Sequence, residues 1–218
     1  MSQEFLEAAT GGDVAKVRTM LQADPSLARA RDENGVSVIM KATYYGKRDV
    51  VAALLDTGVE LDIFEAAATG GVERVSNLIA NDPSMANLYS PDGFTPLGFA
   101  VFFGQPEVAK ALLKGGADVN AASRESMKVT PLASAAAAKQ TDIARLLIEH
   151  GANVNARAAS GHIPLHEASA NGNVELVKLL IEKGADVNAK TDDGKTPLDF
   201  AIEYKRPDVI ELLHEYLG

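Results

Sequence analysis

Cysteine and tryptophan are absent from the 218 residues. Without cysteine there is neither a disulfide framework nor a thiolate for metal, redox or nucleophilic chemistry, which fits a reducing compartment. No apolar run approaches the roughly 18–20 residues of a membrane span. The opening Met-Ser-Gln-Glu-Phe has no basic flank and no apolar segment of the signal-peptide kind. A cytoplasmic chain without membrane contact is expected. Positive charge is also scarce: 21 Lys and Arg face 30 Asp and Glu, a net charge of −9. Nucleic acid demands clustered cations against its phosphates, so it is not an expected partner. The acidic residues are spread along the whole length. They read as a solubilising surface or as a preference for a basic partner. A Pro-, Ser- or Gly-rich linker is missing too, so residues 1–218 are expected to form one elongated domain.

What the chain has is repetition. Thr95-Pro96-Leu97-Gly98-Phe99-Ala100 returns as Thr130-Pro131-Leu132-Ala133-Ser134-Ala135, Ile163-Pro164-Leu165-His166-Glu167-Ala168 and Thr196-Pro197-Leu198-Asp199-Phe200-Ala201. A Gly-Ala-Asp/Asn-Val-Asn run follows at Gly116–Asn120, Gly151–Asn155 and Gly184–Asn188. Such periods signal stacked supersecondary units and decide the fold before anything else. The residue closing the first helix of each unit runs Gly12, Gly46, Gly70, Gly104, Lys139, Gly172, Lys205, giving steps of 34, 24, 34, 35, 33 and 33. The units fall at about 1–33, 34–60, 61–90, 91–122, 123–157, 158–190 and 191–218. The short step has a companion: residues 5–62 align with 63–120 without a gap, 18 of 58 pairs being identical. The first four units therefore read as a duplicated pair.

Physical chemistry builds each unit. Ser37, Thr95, Thr130 and Thr196 suit helix N-caps. Pro96, Pro131, Pro164 and Pro197 follow at the first helical position, where a missing N–H costs nothing. Leu97, Leu132, Leu165 and Leu198 begin the inward stripe, and small alanines let the short helix approach its neighbours. Glycine at the closing position permits a positive-φ turn; Lys139 and Lys205 must tolerate one. The second helix shows amphipathic spacing, as in Val174, Val177, Leu180 and Ile181, and Gly58, Gly116, Gly151 and Gly184 read as left-handed C-caps. Nothing alternates with period two long enough for a sheet strand.

The recurring Thr-Pro-Leu and Gly-Ala-Asp-Val-Asn motifs resemble those of ankyrin repeats over nearly the whole chain. The resemblance implies an all-α solenoid of stacked helix–turn–helix units with short β-turn fingers. It also implies a non-enzymatic protein–protein interaction scaffold that binds a partner on its concave face, as a monomer. Unit one lacks a finger, as a capping repeat does, and unit two has Ser37-Val38-Ile39-Met40 where the motif has Thr-Pro-Leu-His. Only unit six keeps the motif histidine, His166, and there Ile163 replaces its usual threonine partner. In unit three Gly58–Asp62 runs almost directly into the first helix, so no finger is expected.

Family binding positions are finger tips and the last exposed residues of each first helix. Nineteen such positions hold six of the 12 Phe and Tyr residues, where even scatter over 218 residues would leave about one. The candidate partner-binding residues are Tyr44, Tyr45, Phe94, Phe102, Phe103, Met127, His162 and Tyr204. Large amphipathic rings on a rigid surface are what hot spots require, although the same rings also suit packing against neighbouring repeats. Small Ala68 and Thr69 lie between the pairs Tyr44-Tyr45 and Phe102-Phe103. That pattern predicts an apolar recess over unit three for a partner side chain, with Asp32, Glu33 and Asp92 favouring a basic flank. The alternative is a small-molecule or regulatory-ligand receptor using the same recess. Ser123–Lys128, two residues longer than the other fingers, is either a tolerated insertion or a specificity loop. No catalytic residues, metal ligands or cofactors are assigned. His162 and His166 lie four apart without a carboxylate pair at ligand spacing, and the Gly-Gly pairs at 11–12, 70–71 and 115–116 lack the Lys-Ser/Thr of a phosphate cradle.

Overall fold

The computed structural model describes residues 2–217, and its regular structure is entirely helical. Fourteen α-helices form seven pairs. They are α1 (Ser2–Gly11) and α2 (Val14–Ala23), α3 (Val38–Tyr44) and α4 (Arg48–Leu55), α5 (Ile63–Thr69) and α6 (Val72–Asn81), α7 (Pro96–Phe102) and α8 (Pro106–Lys114), α9 (Pro131–Ala137) and α10 (Thr141–Glu149), α11 (Pro164–Asn171) and α12 (Val174–Glu182), and α13 (Pro197–Glu203) and α14 (Pro207–Leu217). First helices stack on first helices, and each also packs on its own second helix.

The caps are where the side chains dictate. Ser37, Thr95, Thr130 and Thr196 each accept the backbone N–H three residues on, at 3.0–3.2 Å. Ile163 has no hydroxyl; there the His166 Nδ1 accepts the Ile163 N–H at 3.1 Å instead. All seven closing residues take positive φ, including Lys139 at 59° and Lys205 at 55°. Leu97, Leu132 and Leu165 are buried, whereas Leu198 is only half-buried.

The duplication is visible in the backbone. Asp24 and Asp82, 58 residues apart, end their helices at φ/ψ −148/93° and −145/96°. Each carboxylate then accepts the N–H of Ser26 or Ser84 at 3.0 Å and starts a 3₁₀ turn, Pro25–Arg29 or Pro83–Asn87.

Fingers four to seven, closed at Ser90–Phe94, Ser123–Val129, Ala158–His162 and Thr191–Lys195, join into a continuous backbone ladder. Arg124, Ala159 and Asp192 donate their N–H to the carbonyls of Gly93, Met127 and Ser160 at 2.8–2.9 Å. A second ladder explains the Asn of the exit motif: Asn87, Asn120 and Asn155 each donate to the carbonyl of Gly116, Gly151 or Gly184 in the next unit. Each also accepts a backbone N–H from that unit, at 2.7–2.8 Å.

Both ladders miss the junction of units two and three. Asp62, which the duplication aligns with Asn120, instead caps α5 in a reciprocal pair with Glu65. Residues 58–62 form no finger. Gly71 occupies the position from which Gln105 and Arg206 reach back to the carbonyls of Ala68 and Ala170, so unit three has no side chain to do so. Among successive second helices, α4 and α6 alone lack close packing among the described residues. The buried core divides here as well: one cluster runs from Phe5 to Leu54, the other from Met40 and Ile63 to Leu213.

Candidate functional site

The missing finger leaves a gap beside finger two (Arg31–Ser37) and finger four (Ser90–Phe94), and an aromatic network fills its base. Phe99, on the inner face of α7 and 2% exposed, is the hub. The rings of Phe94, Phe64, Phe103 and Tyr44 lie 5.5, 5.9, 6.3 and 6.4 Å from it. Such separations suit aromatic pairing. Tyr44 starts from unit two and passes over the alanines of α5 to reach unit four, 5.3 Å from Phe103. Its hydroxyl donates to the Asp92 carboxylate on finger four at 2.8 Å. Burial, reinforced by that bond, pushes the Tyr44 pKa well above its ordinary value.

Tyr44 thereby bridges the recess expected over Ala68 and Thr69. Two concavities remain, and Tyr44 lines the one on the finger side. A cavity of about 110 Å³ lies toward the fingers, lined by Arg31, Met40, Tyr44, Phe64, Asp92 and Phe99 among others. A groove of about 560 Å³ lies toward the helix turns, with Thr43, Ala68, Thr69 and Phe103 in its wall. Phe102, which joins the network, is 55% exposed, and Tyr45 is 63% exposed. Phe102 is held 5.0 Å from Phe103, edge to face. Four of the eight candidate residues are therefore together, Tyr44, Phe94, Phe102 and Phe103; Tyr45 follows Tyr44 in the chain but pairs with no other ring among the described residues. The sequence reading omitted Phe99 and Phe64, which seat them; the stripe position of Phe99 on α7 was the available signal.

The other three candidates lie elsewhere. Met127 is exposed on finger five, whose loop is knitted inward: Glu125 accepts from Ser123 and from the Met127 N–H, and the Arg124 guanidinium lies 3.7 Å above the Tyr89 ring. His162 and Tyr204 belong to a second aromatic group around Phe200, whose ring is 5.1 Å from His162 and stacked on Tyr204 at 6.4 Å. His162 also has a carboxylate neighbour, Glu167 at 2.9 Å. Alanine-rich α9 lies between the two aromatic groups.

His166 is fully buried. With Nδ1 accepting from Ile163, its Nε2–H is left to donate to the carbonyls of Ala189 and Lys195 at 3.1 and 3.3 Å. The ring thus ties α11 to the base of finger seven. Burial, the largest cause, holds its pKa below the usual 6.5. The unfolded chain therefore takes up the proton first as pH falls, and the stability that neutral His166 contributes is present above about pH 6.5 and lost below it. Thermal melts from about pH 7.5 to 5.5 should show a falling Tm, with a shallower decline in His166→Asn. An unchanged slope in that variant would refute the assignment.

A family model described as "Ankyrin repeats (3 copies)" matches residues 63–158 and 157–218. The chain belongs to the ankyrin-repeat family. The first two ankyrin units lie outside the match, yet they share their caps and 3₁₀ turns with units three and four. "Probable E3 ubiquitin-protein ligase XBOS31" of Oryza sativa subsp. japonica is 28% identical over 124 residues, 52% of this chain and 28% of the relative. "DNA-binding protein RFXANK" of Homo sapiens is 28% identical over 127 residues, 55% of this chain and 49% of the relative. The chain spans less than half the length of these two curated relatives. Ankyrin repeats generally mediate protein–protein interaction. No described helix is long and apolar enough to cross a membrane.

Proposed function

We propose that this ankyrin chain is a non-enzymatic cytoplasmic scaffold, a single elongated monomeric domain whose concave face binds a segment of another protein at Tyr45 and Phe102. One observation carries the reading: Phe102 stands 55% exposed on a base of rings packed around Phe99, and Tyr45, next to Tyr44 in the chain, is 63% exposed. Holding an apolar anchor in place before binding removes much of the ordering cost of association. The partner segment presents an apolar or aromatic side chain to these rings. A basic flank on it would be met by Glu33, which has no ion pair among the described residues, and by the net charge of −9. Asp32 contributes less because Lys41 already pairs with it. The small-molecule alternative is weaker: the finger-side cavity of about 110 Å³ falls below the roughly 300–1,000 Å³ of ordinary ligand pockets, and the groove of about 560 Å³, although within that range, offers a single ring, Phe103, beside charged Lys47 and Arg48.

Once a partner is in hand, the double change Tyr45→Ala and Phe102→Ala should weaken binding by about 2 kcal/mol or more, with the circular dichroism spectrum and Tm retained. Changing Glu182 and Lys183, far from these rings on the second-helix side, should leave affinity unaltered. Calorimetric affinity that survives the aromatic changes would show that these rings serve packing alone.

A further inference from the structure

The groove of about 560 Å³ extends along α4 and the helix turns and shares only Phe103 with the aromatic network. It runs from Gly46 past Val51 and Ala52 to Leu55, the last residue of α4, and Phe103 and Gln105 form its far wall. Every other pair of successive second helices packs closely; α4 and α6 do not, and the groove is lined by α4 without any residue of α6. Val51 and Leu55 remain half-buried and Ala52 exposed. An uncovered apolar helix flank inside a helical stack has the shape of a site for one more helix laid alongside.

Charge selects which helix. Lys47 and Arg48 are the groove's charged lining residues. Neither has a carboxylate within 4 Å among the described residues. Two unpaired cations at the mouth of an apolar groove, in a chain of net charge −9, form a local reversal of sign. Complementary potentials steer association and reject wrong partners. We propose that the α4 flank is a second docking site, taking an acidic amphipathic helix from a partner protein, its apolar face on Val51 and Leu55 and its carboxylates on Lys47 and Arg48. A chain with two such surfaces holds two partner segments at once, one on the concave rings and one on its flank.

The probe is a fluorescein-labelled helical peptide of about 14 residues, leucines at i, i+3, i+4 and i+7 and glutamates elsewhere. It is titrated against the full chain by anisotropy and mapped by amide chemical shifts. Saturable binding is expected, with shifts concentrated on α4, Thr69 and Gln105. Raised salt should weaken it, and the double change Lys47→Gln and Arg48→Glu should weaken it about tenfold or more. Both substitutions are benign for folding: Gln105 already occupies the duplicated position of Lys47, and glutamate suits the first turn of a helix. A lysine-for-glutamate peptide of the same design should fail to bind. The Tyr45→Ala and Phe102→Ala variant should bind the acidic probe unchanged, which separates this site from the concave one. Absence of saturation, indifference to the Lys47 and Arg48 changes, or shifts centred on Tyr45 and Phe102 would each overturn the proposal.

Discussion

Phe99→Ala is expected to lower the unfolding free energy by about 3–5 kcal/mol, the range for truncating a buried aromatic. Phe99 is 2% exposed, and the rings of Tyr44, Phe64, Phe94 and Phe103 all lean on it. The lost volume has no simple way to close, because Tyr44 is anchored at its hydroxyl by Asp92. Chemical denaturation of the purified variant measures the loss. A drop below about 1 kcal/mol would mean that the surrounding rings collapse into the space without strain. The same substitution should also disturb exposed Phe102, which is held through Phe103. Stability and binding are thus coupled at this one side chain, whereas at Tyr45 they are separable.

Leu165→Ala should cost about 2–5 kcal/mol. The residue is fully buried on α11, a helix packed against α9, α12 and α13 at once. A cavity there is walled by three helices, none free to move without breaking its own contacts. Equilibrium unfolding in urea decides the matter, and a loss under about 1 kcal/mol would show that the motif leucine does not carry the core of its unit. Leu198→Ala should cost less, because half-burial leaves less apolar surface to lose.

The sequence disclosed most of the architecture because the decisive signals are local. A hydroxyl before Pro-Leu makes a cap, and a Gly or Lys closing residue makes a turn; Ser37, Thr95, Gly46 and Lys139 all behave as their chemistry requires. The absent finger at 58–62 could likewise be counted from spacing. What could not be read is the direction of long side chains across unit boundaries. Tyr44 sits in sequence beside Tyr45, yet one ring reaches over α5 to unit four while the other stands in solvent. That difference depends on Asp92, 48 residues away, and on the width left by small alanines. Phe99 was legible as a stripe residue but not as the seat of the surface, since nothing local says how many rings converge. His162 acquires Glu167 and Phe200 as neighbours only through folding. The open recess expected over Ala68 is divided for the same reason: the pattern marks where space is left, and tertiary reach decides what occupies it.

The junction between units two and three carries a consequence for how the molecule responds to stress. In stacked repeats each unit is held mainly by its neighbours, so unfolding spreads along the array like a row of coupled switches. Coupling that is uniform makes the whole row flip together. Here one coupling is weaker than the rest: it lacks the finger bond and the asparagine bridge, its second helices alone are not closely packed, and Arg31 reaches Asp62 and Glu65 at 3.6 Å among the polar ties that remain. The array is therefore two cooperative blocks in series, of two units and five. The smaller block is expected to release first in mild denaturant, and native-state hydrogen exchange that opens units one and two no sooner than the rest would refute it.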